Sequence, residues 1–333
     1  MYHVNIQSSK NKIASLQSIV DTNDIDLVTV NETNLRKNDK FFLEGYKSFT
    51  KNRQNAHMGG IATSIANKYS NDALKISEGD KDEYIVTRHG QFHPAVNVIN
   101  FYGAQESRKT VDEVKESWDK ILKEIIDIEA KEELLVLVGD LNVHCGKLVK
   151  DNNEKVSVGG KIINKIINEG DYVLLNSHEK TTGGPFTHYA AKDPHNNEKK
   201  SLLDYVIVSK KLEEYLIKME IDSALNWTPA RSEKGKLKFT DHYAINISFN
   251  KVPMRKNFNL PALKHTRWNT RKKNGWAKYA SKTEDNEAFN RAASMESNDP
   301  EKVLKIIEKE LNKIKYSSFG KVKLSSKDKN AKN

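Results

Sequence analysis

From Tyr2 to Phe249, short apolar runs of strand length alternate with a few stretches of helical period, a rhythm that limits the chain to sheets covered by helices. Strands are predicted at Tyr2–Ile6, Asp26–Asn31, Gly60–Ile65, Glu83–Arg88, Val96–Tyr102, Glu133–Leu141, Tyr172–Asn176, Leu202–Ser209, Met219–Ser223 and His242–Phe249. Helices are predicted at Asn11–Val20, Val111–Ile128, Lys161–Asn168 and Lys210–Ile217. The second of these is the clearest. Val111, Val114, Trp118, Ile121, Leu122 and Ile125 recur at spacings of three and four, one apolar stripe suited to lie on a sheet. This is the pattern of an α/β or α+β domain over residues 1–250.

At Lys251 the rhythm stops. Lys251-Val252-Pro253-Met254-Arg255-Lys256, Arg267-Trp268 and Arg271-Lys272-Lys273 interleave basic with apolar and aromatic residues, so residues 251–333 are predicted to be a basic linker or extension, partly helical or disordered. One helix is predicted there, Pro300–Lys315, with Asp299 as N-cap and Val303, Ile307, Leu311 and Ile314 on one face. Lysines and arginines number 34 against 36 acids before residue 251 and 21 against 9 after it, so the whole positive excess sits in the extension. Such a field attracts a polyanion, or it merely solvates a tail.

The longest apolar runs, such as Leu134-Leu135-Val136-Leu137-Val138, are far too short to span a bilayer, and the first residues lack a signal-peptide core. The expected setting is therefore intracellular and away from membranes. A single cysteine, Cys145, rules out an internal disulfide and a thiolate metal cluster.

Four segments place polar side chains where apolar strands end. Glu32 follows Leu27-Val28-Thr29-Val30-Asn31, so its carboxylate emerges at a sheet end, as a hard cation requires; a strand-terminal glutamate is also commonly just solvated. In Val138-Gly139-Asp140-Leu141-Asn142, the i, i+2 spacing puts Asp140 and Asn142 on one side, able to hold a phosphate and a water or simply to form an Asx-turn. Asp204 is embedded in the apolar strand Leu202–Val208, a costly burial unless it is paired. Asp241-His242 supplies the partner: an imidazole beside a buried carboxylate is held in one tautomer and gains basicity. A dyad of His242 with Asp204 accounts for both residues.

Taken in chain order, these segments resemble the exonuclease-endonuclease-phosphatase (DNase I-like) superfamily. The match comprises Asn5 in His-Val-Asn-Ile-Gln-Ser, Glu32, Tyr102 in Asn-Phe-Tyr-Gly-Ala-Gln, Gly-Asp-Leu-Asn at 139–142, Leu-Asp-Tyr at 203–205 and Thr-Asp-His at 240–242. Within it the chain looks most like the endonuclease of non-LTR (LINE-type) retrotransposons, on the opening from Asn5 through Asn31-Glu32-Thr33, on Arg53 ahead of Gly59-Gly60-Ile61-Ala62, and on Phe186-Thr187. The resemblance covers about residues 2–250. Residues 251–333 look like the basic spacer that precedes the reverse transcriptase in such polyproteins, so the chain is expected to be a fragment of a longer reading frame or a stand-alone remnant. Three features depart from the pattern. Thr240 replaces a common serine, only four residues precede Asn5, and Ser201 and Leu203 stand where abasic-site enzymes line a pocket with aromatic residues. The last argues against abasic-site specificity, with His188-Tyr189 as a partial substitute.

The resemblance implies a four-layer αββα sandwich, two mostly antiparallel sheets flanked by helices, and Mg²⁺-dependent hydrolysis of DNA phosphodiester bonds, with another hydrolase of the superfamily (abasic-site, phospholipid or inositol phosphate) or a catalytically decayed DNA-binding remnant as the alternatives. It implies a cation, Mg²⁺ or alternatively Mn²⁺, held by Glu32 with Asn5 and Asp241. Asp140, Asn142, Tyr102, His242 and Asp204 would be catalytic, with Asp140 or His242 as general base, and Gln105, Thr187, Arg53 and Asn142 would touch substrate. The implied partner is duplex DNA, nicked in the nucleus to leave a 3′-hydroxyl, with a reverse transcriptase encoded downstream; a monomer is expected.

Overall fold

The computed structural model describes residues 1–53, 59–80, 82–149, 155–189, 200–234, 236–250 and 252–254. Its elements in chain order are β1 (Tyr2–Asn5), α1 (Ile13–Thr22), β2 (Leu27–Asn31), β3 (Tyr46–Lys51), β4 (Ile61–Ala66), β5 (Ala73–Glu78), β6 (Glu83–His89), β7 (Val96–Tyr102), α2 (Val111–Glu129), β8 (Leu134–Asp140) and α3 (Val158–Glu169). They continue with β9 (Tyr172–Leu174), β10 (Thr181–Thr182), β11 (His188–Tyr189), β12 (Lys200–Ser201), β13 (Asp204–Ser209), α4 (Lys210–Glu213), β14 (Leu216–Ile221), β15 (Ala230–Glu233), β16 (Lys236–Phe239) and β17 (Ile245–Phe249). One sheet runs β10-β14-β17-β1-β2-β4-β3 and the other β5-β6-β7-β8-β13-β9, with two small ribbons, β11-β12 and β15-β16. Both large sheets are mixed: β1 is parallel to β2 and β7 to β8, while most other neighbours are antiparallel.

Alternation along each strand decides which layer a side chain enters. In β8, Leu135 and Leu137 join an outer core with Val114, Trp118, Ile121 and Ile125 of α2 and Ile163 and Ile166 of α3. Leu134, Val136 and Val138 point the other way and meet Met219, Ile221, Ile245 and Ile247 of the facing sheet. The far side of that sheet is covered by α1, whose Leu16 and Val20 pack with Tyr2, Val4, Val28 and Val30. The expected four layers are therefore present. Thr110 sets the start of α2 with a reciprocal capping box to Glu113, worth about 1 kcal/mol.

Differences from the predicted elements have local causes. Only Lys210–Glu213 of the predicted helix Lys210–Ile217 is helical, and Leu216 already begins a strand. The pairing of β14 with β17 slips between Leu216 and Lys218, so Ile217 is an extra residue, and the bulge stretches the apolar spacing to one that reads as helical. The strand predicted from His242 starts at Ile245, leaving His242 in the preceding loop. Neither β3 nor β5 was predicted. Both are edge strands with exposed residues and no continuous apolar run. Pairing also runs past Asn250, since Met254 bridges Phe92 and His93 N donates to Pro253 O. The chain divides into two compact units, Met1–Pro261 and Ala262–Asn333; the second, with the predicted helix Pro300–Lys315, lies outside the described residues. Among the described residues no helix is long and apolar enough to cross a membrane.

Candidate active site

The layer between the sheets changes character toward one end. Where β8 and β13 contribute Val136, Val138, Val206 and Val208 it is apolar, but the inward positions of the neighbouring strand ends are His3, Asn5, Thr29, Asn31, Asn100, Asp140 and Asp204, all buried. Buried polar groups are tolerated only when bonded to each other, and here they are. Asn5 Nδ2 donates to Asp140 Oδ2 (2.9 Å), the Asp140 amide to Asn31 Oδ1 (2.7 Å), Asn31 Nδ2 to Asn100 Oδ1 (2.8 Å) and Asn100 Nδ2 to Ala62 O (2.9 Å). This relay ties the two sheets together directly beneath the acids.

Asp140 and Asp204 face each other across the antiparallel pair β8–β13, an arrangement that like charges disfavour. His242 reconciles them. Its Nδ1 donates to Asp204 Oδ2 at 2.7 Å, the dyad predicted from sequence, while its Nε2 stands 3.8 Å from Asp140 Oδ2 and 3.9 Å from Asp241 Oδ1. A second imidazole, His3, reaches Asp204 Oδ1 at 3.3 Å with Nε2 and sits 3.0 Å from Thr29 Oγ1 with Nδ1.

The charges follow from this packing. Burial alone would raise the Asp204 carboxyl, but the charge and hydrogen bond of His242, with a further bond from His3, hold it well below the usual carboxylate range. Asp140 goes the other way: burial, with Asp204 and Glu32 nearby, pushes it up to about 7 against the pull of His242 and Asn5. Burial works against a charged His242, yet Asp204 and Asp140 outweigh it and push the imidazole up to about 10.

Around this pair the remaining candidates converge. Glu32, at φ 52°, accepts from the Tyr102 hydroxyl at 2.7 Å, and Asn142, at φ 51°, donates from its amide to Asp140 Oδ1 (3.2 Å) and from Nδ2 to Gly103 O (3.0 Å). Two non-glycine residues in the left-handed region, each about 1 kcal/mol strained, are held where the acids must point. Gln7 links the set, with its amide on Asn5 Oδ1 (3.1 Å) and its Nε2 on Asp241 Oδ2 (2.7 Å). Arg53 pairs with buried Glu83, lies over the Tyr102 ring and shares a cleft with Tyr102, Gln105, Arg108 and Lys109.

Thr187 is placed differently from expectation. It is fully buried, and its hydroxyl accepts from the Leu203 and Asp204 amides (3.1 and 2.9 Å), so it fixes the start of β13 and is closed off from substrate. Sequence reading also missed His3, Asn31 and Asn100. The signal was there, because each is a polar residue at an inward position of an otherwise apolar strand. The sequence marks Lys12 only as the end of the family-like opening from Asn5, without its structural role. Its ammonium donates to Ile6 O (2.7 Å) and holds the Gln7 turn, and burial followed by repulsion from Arg231 brings it down to about 8.

Two donor groups have the spacing of a metal site, Asp140–Asp204–His242 and His188–Asp241–His242. Among the described residues neither Glu32 nor Asp241 forms an ion pair with a lysine or arginine, although both lie within the electrostatic reach of Lys12. Four carboxylates thus gather with less cationic charge than they carry, and their oxygens suit a hard divalent cation.

Two helix-covered sheets carrying a buried carboxylate–imidazole pair and an acidic rim at one end are the frame of a phosphoester hydrolase. The chain belongs to the Endonuclease/Exonuclease/phosphatase family, whose model matches residues 3–242. No curated protein sequence matches it. Solved structures share the fold. The Xenopus laevis APE2 catalytic domain superposes with a TM-score of 0.58 at 16% identity, covering 77% of this chain and 93% of that one. The 3′ phosphatase NExo from Neisseria, bound to a product DNA hairpin, gives 0.57 at 19% over 75% and 98%. The endonuclease domain of TRAS1, a telomere-specific non-LTR retrotransposon, gives 0.53 at 14% over 74% and 96%.

Proposed function

We propose that the chain is a Mg²⁺-dependent endonuclease that nicks duplex DNA and leaves a 3′-hydroxyl. The observation that carries this is His242, clamped by Asp204 at 2.7 Å with its Nε2 turned toward Asp140 and Asp241 at the acidic rim. Glu32, Asn5 and Asp241 would be the oxygen ligands for the cation, Mg²⁺ or Mn²⁺, with Gln7 setting the orientation of the last two. When bound, the cation polarises the phosphate and stabilises the leaving oxygen.

The protein's own groups divide the remaining work. His242, pushed up to about 10, carries its proton at neutral pH, so it donates charge and a hydrogen bond to the phosphate and is unsuited to act as base. Asp140, pushed up to about 7, is poised to take a proton from the attacking water. Asn142 fixes that water or a phosphate oxygen, and Tyr102, Gln105 and Arg53 grip the strand along their shared cleft. The DNA-bound NExo structure and the TRAS1 domain support a DNA substrate and, for the latter, a retrotransposition setting. There the 3′-hydroxyl would prime a reverse transcriptase encoded downstream, on nuclear DNA, with this domain acting as a monomer.

The test sets supercoiled plasmid beside a phosphoinositide, both with Mg²⁺. Open circles whose nicks a polymerase extends without prior end repair are expected, and no phosphate release from the lipid. Release from the lipid with intact plasmid would place the substrate elsewhere in the family.

A further inference from the structure

One imidazole beside this site has no part in the proposed nicking reaction. His188 lies on β11, its backbone bridges His242, and the two rings meet edge to face with centroids 4.9 Å apart and planes at 62°. In each ring Nδ1 is already engaged, by Ser201 Oγ at 3.2 Å for His188 and by Asp204 Oδ2 at 2.7 Å for His242. Both Nε2 atoms are therefore turned toward the same place. His188 Nε2 is 3.9 Å from Asp241 Oδ2 and His242 Nε2 is 3.9 Å from Asp241 Oδ1, too long for hydrogen bonds, and donor atoms of the three side chains lie within 4.8 Å of one another. The two 3.9 Å distances reach different oxygens of Asp241, and with one oxygen and both nitrogens within 4.8 Å of one another an ion equidistant in their plane lies at most about 2.8 Å from each, so closing to zinc distances needs shifts of a few tenths of an ångström.

We infer that His188, Asp241 and His242 form a site for a zinc-type divalent ion, with two imidazole nitrogens and one carboxylate as ligands. Binding displaces the Nε2 proton of His242 to solvent, and the resulting neutral imidazoles suit zinc, cobalt or nickel and suit magnesium poorly, so this donor set is chemically distinct from the oxygen ligands Glu32 and Asn5. Ser201 and Asp204 occupy the outer position that fixes the tautomer and direction of metal-binding histidines. The site shares His242 and Asp241 with the proposed nicking machinery. Occupancy withdraws the His242 Nε2 from phosphate, and if the chain nicks DNA as proposed, zinc switches the nuclease off.

The experiment titrates the full chain with Zn²⁺ in a calorimeter and with Co²⁺ under visible absorption, without Mg²⁺. One tight site is expected. His188→Phe should weaken Zn²⁺ binding at least about tenfold, and Ser201→Ala should weaken it measurably with an unchanged melting profile. Glu32→Gln should leave it within about twofold. In plasmid nicking with Mg²⁺, His188→Phe should need correspondingly more Zn²⁺ for inhibition. Equal Zn²⁺ affinity in the parent and His188→Phe would overturn the inference, as would a loss of affinity in Glu32→Gln as large as that in His188→Phe. Because the titration needs no turnover, a parent that fails to nick counts against the proposed function and leaves the zinc result intact.

Discussion

His242 is a charged group enclosed almost completely by the site, and its ionisation should be visible in stability. Its pKa in the folded chain lies above the unfolded value of about 6.5, so its contribution is fully present below about pH 6.5 and fades as pH rises toward about 10. Asp204 is held below its unfolded value of about 3.9, so its contribution is present above that pH and lost on further acidification. Asp140 acts in the opposite sense: its raised carboxyl makes ionisation cost stability as pH climbs toward about 7. His242→Gln should therefore lower unfolding free energy most between about pH 4 and 6.5, by about 3 kcal/mol, and progressively less toward pH 10, as read from urea midpoints. A uniform loss across that range would mean that the ion pair is not what holds the ring. At this scale the sequence was readable for Asp204 and His242, since an acid inside an apolar strand demands a partner. It was unreadable for Thr187, whose hydroxyl serves the backbone, and for His3 only the inward polar position was readable, because the partner is 201 residues away.

Strand ends, more than helices, position the chemistry. β1, β2, β7 and β8 stop at one edge of the sandwich, and the turn after β8 is possible only because of what residue 139 lacks. Gly139 has φ 154°, and a Cβ there would lie 1.8 Å from Phe101 O on the neighbouring strand. Backbone cannot rotate out of the way as a side chain can. Gly139→Ala should cost at least about 2 kcal/mol in urea unfolding and displace Asp140; a variant of unchanged stability would show that the close approach of β7 and β8 is not needed. Elements buried on both faces, such as β8 and β13, were legible as apolar runs. The half-exposed edges β3 and β5 were not, because nothing forces their residues to be apolar, and the bulge in β14 disguised a strand as a helix.

Across the whole molecule, charge and chemistry are separated. Residues 1–250 hold 34 basic against 36 acidic side chains, while residues 251–333 hold 21 against 9. If the chain cuts DNA as proposed, a near-neutral sandwich with an acidic rim would repel its substrate at the point of cleavage, a cation at Glu32 would offset that repulsion, and the positive excess of the extension would draw polyanion near. The ordered motifs from Asn5 to His242 make the family legible in the amino-acid sequence, because each marks a strand end that the fold brings to one edge. The buried amide relay beneath them is not legible there, since pairing between sheets depends on register. The most direct measurement is conversion of supercoiled plasmid to open circles by the full chain, with Mg²⁺ and with chelator, beside Glu32→Ala, Asp140→Ala and His242→Ala. Nicking that requires the metal and falls at least about 100-fold in each variant is the predicted result. Nicking that survives chelator, or persists undiminished in all three variants, would contradict the account.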